Sequence, residues 1–130
     1  MIGYVMVGTN DKARAETFFD GIFGEVGAKR SWNNERMTGW SMGPRQPSIV
    51  VATPYDEKSA SVGNGSMVAI TVGSPDDVKK MHAKAVALGA KDEGAPGFRP
   101  AEANAGFYGG YFRDLDGNKF VAFCMVPKKA

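Results

Sequence analysis

The chain carries, from residue 111 to residue 121, the sequence Tyr111-Phe112-Arg113-Asp114-Leu115-Asp116-Gly117-Asn118-Lys119-Phe120-Val121. Two apolar, aromatic-rich runs flank Asp116-Gly117, and this dipeptide tolerates the positive φ angles that tight hairpin turns need. The stretch therefore predicts a β-hairpin. Asp114 and Asp116 resemble a pair of catalytic carboxylates, but turn carboxylates commonly cap backbone amides, and we expect that role here.

A weak internal repeat divides the chain into two halves. Val7-Gly8-Thr9-Asn10-Asp11 matches Val72-Gly73-Ser74-Pro75-Asp76, and Gly27-Ala28-Lys29 matches Gly89-Ala90-Lys91 in the same order. In each half a short apolar strand comes before the first match, and a helix with apolar residues at three-to-four spacing ends at the second. The matches therefore indicate a duplicated unit.

Each half is predicted to contain one strand, one helix and three further strands. The predicted strands are residues 2–7, 29–32, 36–42 and 48–53 in the first half, and residues 67–72, 90–92, 107–113 and 119–126 in the second. Residues 93–106, which hold two prolines, are predicted as a long loop. We expect one domain over residues 1–130, with module one at 1–54, a linker at 55–64 and module two at 65–127.

Together these features resemble the vicinal oxygen chelate superfamily, which includes glyoxalases, extradiol dioxygenases and the fosfomycin- and bleomycin-resistance proteins. The resemblance covers essentially the whole chain and rests on the hairpin, on Gly8-Thr9-Asn10-Asp11 and on residues 62–70. It implies a glyoxalase-like α+β fold, in which two β-α-β-β-β modules form a curled mixed sheet around a funnel. The superfamily supports many chemistries on one scaffold, so the fold alone does not give the reaction.

The resemblance also implies where a catalytic metal ion would lie, and the matching residues here are not metal ligands. The family's two histidines correspond to Tyr4 and Met67, and its glutamate corresponds to Val121. A divalent metal site needs several N or O donors at about 2.0–2.3 Å. A phenol with a reference pKa of about 10, a thioether and an aliphatic side chain do not provide them. We expect no metal ion or other cofactor, and we assign no catalytic residue.

Without a metal ion, the funnel is expected to be lined by methionine and aromatic side chains. Alternation along the strands, for example of Tyr4 with Met6, places these residues on inward faces, while residues between them, such as Phe120, pack on the helices. Arg99 is expected at the mouth, where its paired N–H groups suit a carboxylate or phosphate. The predicted ligand-binding residues are Tyr4, Met6, Trp40, Met42, Met67, Arg99, Tyr111, Val121 and Phe123.

Composition excludes several classes of function. The chain is 43% hydrophobic and 23% charged, as in ordinary globular proteins, and its net charge of +2 gives no footprint for nucleic acid. No apolar run approaches the roughly 18 residues of a membrane span. The single cysteine excludes an intrachain disulfide and a cysteine zinc site. We therefore expect a cytoplasmic protein that has neither a nucleic-acid partner nor a membrane partner.

Three functions remain open from the sequence. The first is metal-independent binding of a small hydrophobic or aromatic molecule in the funnel between the modules. The second is a metal-free lyase or isomerase in which Tyr4, Tyr111 or His82 carries a proton. The third is a non-catalytic interaction module with a filled funnel. We expect a homodimer, because this family often forms one.

Overall fold

The computed structural model describes residues 1–129 and confirms the α+β fold. The same order of elements, β-α-β-β-β, occurs twice. The first module comprises β1 (Tyr4–Gly8), α1 (Lys12–Gly24), β2 (Lys29–Asn33), β3 (Met37–Ser41) and β4 (Ser48–Ala52). The second comprises β5 (Val68–Thr71), α2 (Pro75–Ala87), β6 (Lys91–Phe98), β7 (Gly106–Arg113) and β8 (Lys119–Val126).

Each module builds its own mixed sheet. The strand order is β1-β4-β3-β2 in sheet 1 and β5-β8-β7-β6 in sheet 2. In each sheet the first strand of the module pairs in parallel with the last one, and the other pairs are antiparallel. The crossover through the helix allows this parallel pairing, because parallel neighbours need a long connection. As a result β1 and β5 are edge strands.

The two helices begin at side-chain caps that the sequence indicated. The Asp11 carboxylate accepts a hydrogen bond from the Arg14 amide at the start of α1, and the Ser74 hydroxyl accepts one from the Asp77 amide at the start of α2. Pro75 occupies the first turn of α2, where its missing N–H group has no cost. The helix starts therefore follow from local sequence.

Each sheet has one face that packs on the helices, which we call the inner face, and one that points away from them, which we call the outer face. The outer face is the one that the sequence predicted to line the funnel. The Phe19 ring of α1 lies 5.5 Å from the Trp40 ring of sheet 1 and 5.6 Å from the Phe120 ring of sheet 2. The Phe18 ring lies 6.4 Å from the Phe112 ring of sheet 2. Because α1 packs against both inner faces, most of the space between the modules of one chain is a packed core.

The β7–β8 hairpin fastens module two to module one. Gly117 has φ +90°, as the predicted turn requires. Asp114 caps the turn as expected, since its carboxylate accepts hydrogen bonds from the amides of Asp116 and Asn118. The Asp116 carboxylate instead crosses to module one and accepts bonds from the Thr9 hydroxyl at 2.6 Å and the Asn10 amide at 2.9 Å. The turn between β7 and β8 thus also holds the two modules together.

The predicted loop at residues 93–106 is wrong in its first half. Strand β6 continues to Phe98, with register shifts at Gly94 and before Gly97. Pro96 is tolerated because β6 is an edge strand, where one N–H group of the strand needs no ladder partner. Among residues 1–129, neither helix has the length and apolar character needed to cross a membrane.

Candidate functional site

The outer face of sheet 1 exposes two of the predicted ligand-binding residues. Tyr4 and Met6 lie on β1 opposite Ser48 and Val50 of β4, and their exposed fractions are 58% and 41%. Val50 is fully buried although it is not part of the helix-facing core. The outer face of sheet 1 is therefore apolar at β1 and partly open to solvent.

Trp40 does not lie on this outer face, contrary to the expectation. Its ring packs between Phe19 and Phe23 of α1, its exposed fraction is 2%, and its indole N–H donates to the Asp20 carboxylate at 2.9 Å. The alternation of side chains along β3 correctly predicted which residues share a face. It could not tell which face meets the helix, because both faces of β3 carry apolar residues.

Trp32 occupies the outer face instead. A register shift between Arg30 and Trp32 reverses the alternation of β2, so that Arg30 faces the helix and Trp32 faces outward. The indole lies over Gly39, where a Cβ atom would stand 3.1 Å from the Trp32 Nε1 atom. One weak feature of the sequence could have indicated this arrangement: Gly39 lies in an apolar strand, and a glycine there often marks a close approach of another group.

A cavity of about 560 Å³ lies on the outer face of sheet 1. Its walls include Trp32 and Met42 as apolar surfaces and the hydroxyls of Ser41 and Ser48. Positive charge comes from β2 and from the β3–β4 loop. The basic side chains are Lys29, Arg30 and Arg45.

Behind this cavity, Arg30 is neutralised by carboxylates of α1. It binds both oxygens of Asp20, at 3.0 and 2.8 Å, and lies 3.2 Å from Glu16. The hydrogen bond from Arg30, with the one from Trp40, holds the pKa of Asp20 below its ordinary value against the opposing effect of burial. Burial raises the pKa of Glu16, but hydrogen bonds from Thr38 and Lys12 and the charge of Arg30 outweigh it, so the pKa is lowered. Lys29 and Arg45 have no such partners among residues 1–129.

A second cavity, of about 400 Å³, opens between the modules. It lies at the end of α1, where Phe23, Trp40 and Met42 face Ala69 and Thr71 of the edge strand β5. Of the predicted pocket residues, Trp40 and Met42 border this cavity, and Met42 also borders the larger one. The second cavity is the part of the space between the modules that the helices leave open.

The outer face of sheet 2 carries most of the remaining predicted residues. Tyr111 pairs with Val121 across β7 and β8, and Phe123 follows on the same face. The Phe107 ring stacks on Phe123 at 5.1 Å with an angle of 9°, and Val121 is 1% exposed. Met67, immediately before β5, is 46% exposed. The centre of this face is thus filled with apolar side chains, and its margin is open.

Two cations flank the ring of Tyr111. The Arg99 Cζ atom lies 5.5 Å and the Lys119 Nζ atom 5.7 Å from the ring centroid. Arg99 is held in place by hydrogen bonds to the carbonyls of Phe98 and Ala95. Both Arg99 and Tyr111 were predicted as ligand-binding residues, and they lie beside each other. Lys119 was not among the predicted residues, because nothing in its local sequence marks it.

The residues at the family's metal positions do not fit a metal ion. Tyr4 belongs to sheet 1, whereas Met67 and Val121 belong to module two, and Val121 is buried with no donor atom. In the part of the chain that the structure describes, no group of three or more His, Cys, Asp or Glu side chains is placed to hold a metal ion. The donor types at these three positions do not match a divalent metal site.

His82 lies on the inner side of sheet 2. Its Nε2 atom is 3.1 Å from the Asp92 carboxylate and 3.1 Å from the Tyr111 carbonyl oxygen. The sequence did not reveal Asp92 as its partner, because the two residues meet only through packing of α2 on β6. The ring lies against Gly110 and Phe112, so a ligand on the outer face cannot reach it. This position does not support His82 as a proton carrier.

Comparison with known proteins agrees with this fold. A sequence model of the glyoxalase/bleomycin resistance protein/dioxygenase superfamily matches residues 1–122. A glyoxalase/bleomycin resistance protein from Albidiferax ferrireducens is 32% identical, with 95% of this chain and 98% of that chain covered and a TM-score of 0.85.

More distant structures show the same fold. A family enzyme from Burkholderia phytofirmans is 19% identical, with 95% and 98% of the chains covered and a TM-score of 0.72. A glyoxalase-related enzyme from Fulvimarina pelagi is 17% identical, with 95% and 87% covered and a TM-score of 0.71. The search of curated proteins gives no match. From the family match and the 32% identical relative, the chain belongs to the glyoxalase/bleomycin resistance protein/dioxygenase superfamily.

Proposed function

We propose that this protein binds a small apolar or aromatic molecule, without a metal ion, on the outer faces of its sheets. The main evidence is the cavity of about 560 Å³ on sheet 1, whose walls include Trp32 and Met42. Small-molecule sites commonly measure roughly 300–1,000 Å³ and combine apolar walls with a few polar groups. Here the hydroxyls of Ser41 and Ser48 supply such groups. The unsuitable side chains at the three metal positions support a metal-independent site.

The proposed binding unit is a homodimer. The outer faces of one chain cannot close on one ligand, because the packed core lies between the sheets. A second copy related by a two-fold axis would bring its sheet 2 against sheet 1 of the first copy and would create two equivalent sites. Exposed apolar side chains on both faces support this pairing. They are Tyr4 and Met6 on sheet 1, and Met67 and Met125 on sheet 2.

We also propose a cytoplasmic location, with neither nucleic acid nor a membrane as partner. The only cysteine, Cys124, is free and buried, which fits a protein that folds without disulfides in a reducing compartment.

One observation favours a second function, a non-catalytic dimeric module whose outer faces only pack together. The stacked Phe107 and Phe123 rings and the buried Val121 already fill the centre of sheet 2. Such a module would dimerise but would bind no small molecule. Ligand binding and dimerisation must therefore be measured separately.

Tryptophan fluorescence tests the ligand site, with neutral 1-naphthamide as the probe. A ligand in the larger cavity contacts Trp32, whereas a ligand between the modules contacts Trp40. We expect saturable quenching that persists in Trp40→Phe and is lost in Trp32→Phe. Quenching that is lost only in Trp40→Phe would show that the ligand binds in the second cavity, between the modules. If calorimetry detects no binding of any aromatic compound, neutral or charged, the interaction module is left as the function.

Sedimentation equilibrium tests the dimer. Met6→Glu introduces a charge that would be buried without a partner if sheet 1 is an interface, so it should give monomers. Lys79→Glu, on the exposed surface of α2, serves as the matched control and should remain dimeric. A wild-type protein that sediments as a monomer at 100 μM would rule out the composite site.

A further inference from the structure

A row of like charges crosses the outer face of sheet 2. Lys91 of β6 pairs with Arg113 of β7, and Arg113 pairs with Lys119 of β8, so the three cations are direct neighbours across the sheet. Like charges placed directly opposite each other destabilise a sheet. Folding alone therefore gives no reason for this row.

One carboxylate accompanies the row, and it is already engaged. Glu93 forms an ion pair with the Arg113 Nε atom. Arg113 also donates to the Gly117 carbonyl at 2.9 Å, which fixes it at the hairpin turn. Within residues 1–129, no carboxylate pairs with Lys91, Lys119 or Arg99. The face thus has a local excess of positive charge.

Arg99 adds a fourth cation from the end of β6. Its guanidinium uses two nitrogens to bind the carbonyls of Ala95 and Phe98, at 2.9 and 3.1 Å, which holds it in place beside Tyr111. A guanidinium has five N–H donors, so several remain open. The Arg99 guanidinium carbon and the Lys119 amine thus lie 5.5 and 5.7 Å from the centroid of one aromatic ring, whose residue pairs with Val121 across β7 and β8.

We propose that the ligand of this protein is an anionic aromatic molecule, whose carboxylate or phosphate group binds Arg99 and Lys119 while its ring lies along Tyr111. This inference rests on the proposed function, since it specifies the chemical class of that ligand. The anion supplies the charge that the outer face lacks, and charge-assisted hydrogen bonds to it are stronger than neutral ones. The cavity on sheet 1 has matching character, because Lys29 and Arg45 line it and no carboxylate does.

The test compares three naphthalene compounds that differ in one substituent: 1-naphthoate, 1-naphthyl phosphate and the neutral 1-naphthamide. Affinities are measured by isothermal titration calorimetry of the full chain. We expect at least one anion to bind about tenfold more tightly than the amide, as one charge-assisted hydrogen bond implies. The tighter of the two anions distinguishes a carboxylate site from a phosphate site. The preference should shrink between 0.05 and 0.5 M NaCl, because salt screens exposed charges.

Two variants, Arg99→Gln and Lys119→Gln, test whether these side chains bind the anionic group of the ligand. Each should reduce the preference to less than about threefold, and the far-UV circular dichroism of each variant shows whether it is folded. Lys80→Gln, an exposed lysine of α2, is the matched control and should retain the full preference. If the anions and the amide bind equally, the inference fails and the proposed function stands. If none of the three compounds binds, the proposed function fails and the inference with it.

Discussion

The inner and outer faces of the two sheets are both apolar, but they differ in how they are covered. The inner faces are aromatic and closed: Phe19, Trp40 and Phe120 are each at most 2% exposed, and Phe19 contacts both Trp40 of module one and Phe120 of module two. The outer faces carry flexible methionines, such as the 64% exposed Met125, together with unpaired cations. The contrast indicates that the inner faces stabilise the fold, while the outer faces are available for binding.

The largest expected effect is on the inner face. Phe19→Ala removes the ring that touches both sheets and should lower the free energy of unfolding by about 3–5 kcal/mol. Met125→Ala, on the outer face, is the control and should change it by less than about 0.5 kcal/mol at protein concentrations where the chain is monomeric. Urea unfolding followed by circular dichroism measures both. Equal losses in the two variants would abolish the distinction between the faces.

The next largest expected loss of stability is at the contact between the β7–β8 turn and module one, which holds the two modules together. The Asp116 side chain is 3% exposed and accepts hydrogen bonds from three groups of module one: the Arg14 guanidinium at 3.0 Å, the Thr9 hydroxyl and the Asn10 amide. Asp116→Ala leaves these donors without their charged acceptor and should cost about 1.5–3 kcal/mol. Glu102→Ala, an exposed carboxylate, should be nearly neutral. An unchanged urea midpoint for Asp116→Ala would mean that core packing alone holds the modules together.

A smaller, pH-dependent effect belongs to the ion pairs between α1 and β2. The folded pKa values of Glu16 and Asp20 are lowered, so their contribution is present above the unfolded values near pH 4 and disappears as the pH falls through the folded ones. Arg30→Gln should cost about 0.2–1 kcal/mol at pH 7, because the pairs are partly exposed. The difference from wild type should shrink towards pH 3.

Urea midpoints at pH 7, 5 and 3 measure this effect. Lys58→Gln, an exposed lysine of the linker, is the control. A deficit of Arg30→Gln that is constant over this range would assign the effect of Arg30 to packing and not to charge.

The smallest expected change in stability is that of Trp32→Phe, and fluorescence quenching distinguishes Trp32 from Trp40. Trp32 is 41% exposed and Trp40 is 2% exposed. Acrylamide should therefore quench Trp40→Phe, which retains Trp32, several times more efficiently than Trp32→Phe, which retains Trp40. Trp32→Phe should leave the urea midpoint nearly unchanged. Equal quenching of both variants would show that β2 does not turn Trp32 outward, or that a partner chain covers it.

Sequence was sufficient for the features that depend on neighbours along the chain. The Asp-Gly turn, the capping role of Asp114, the starts of both helices and the repeated order of elements follow from local chemistry. The assignment of Phe120 to the helix-facing side also follows, because its strand alternates regularly. The end of β6 was missed, since Gly94 and Pro96 carry a loop-like composition that an edge strand tolerates.

Only the tertiary structure decided how the faces are used. Alternation divides a strand into two faces, but it does not say which face meets a helix when both are apolar, and so Trp40 was placed on the wrong side. The register shift in β2 moved Trp32 outward, which no local pattern required. The packing of α1 on both sheets filled most of the space between the modules. The pairing of β6, β7 and β8 brought Arg99 and Lys119, twenty residues apart in the chain, to one aromatic ring. Such contacts depend on the relative orientation of distant elements, which the burial of large aromatic side chains determines.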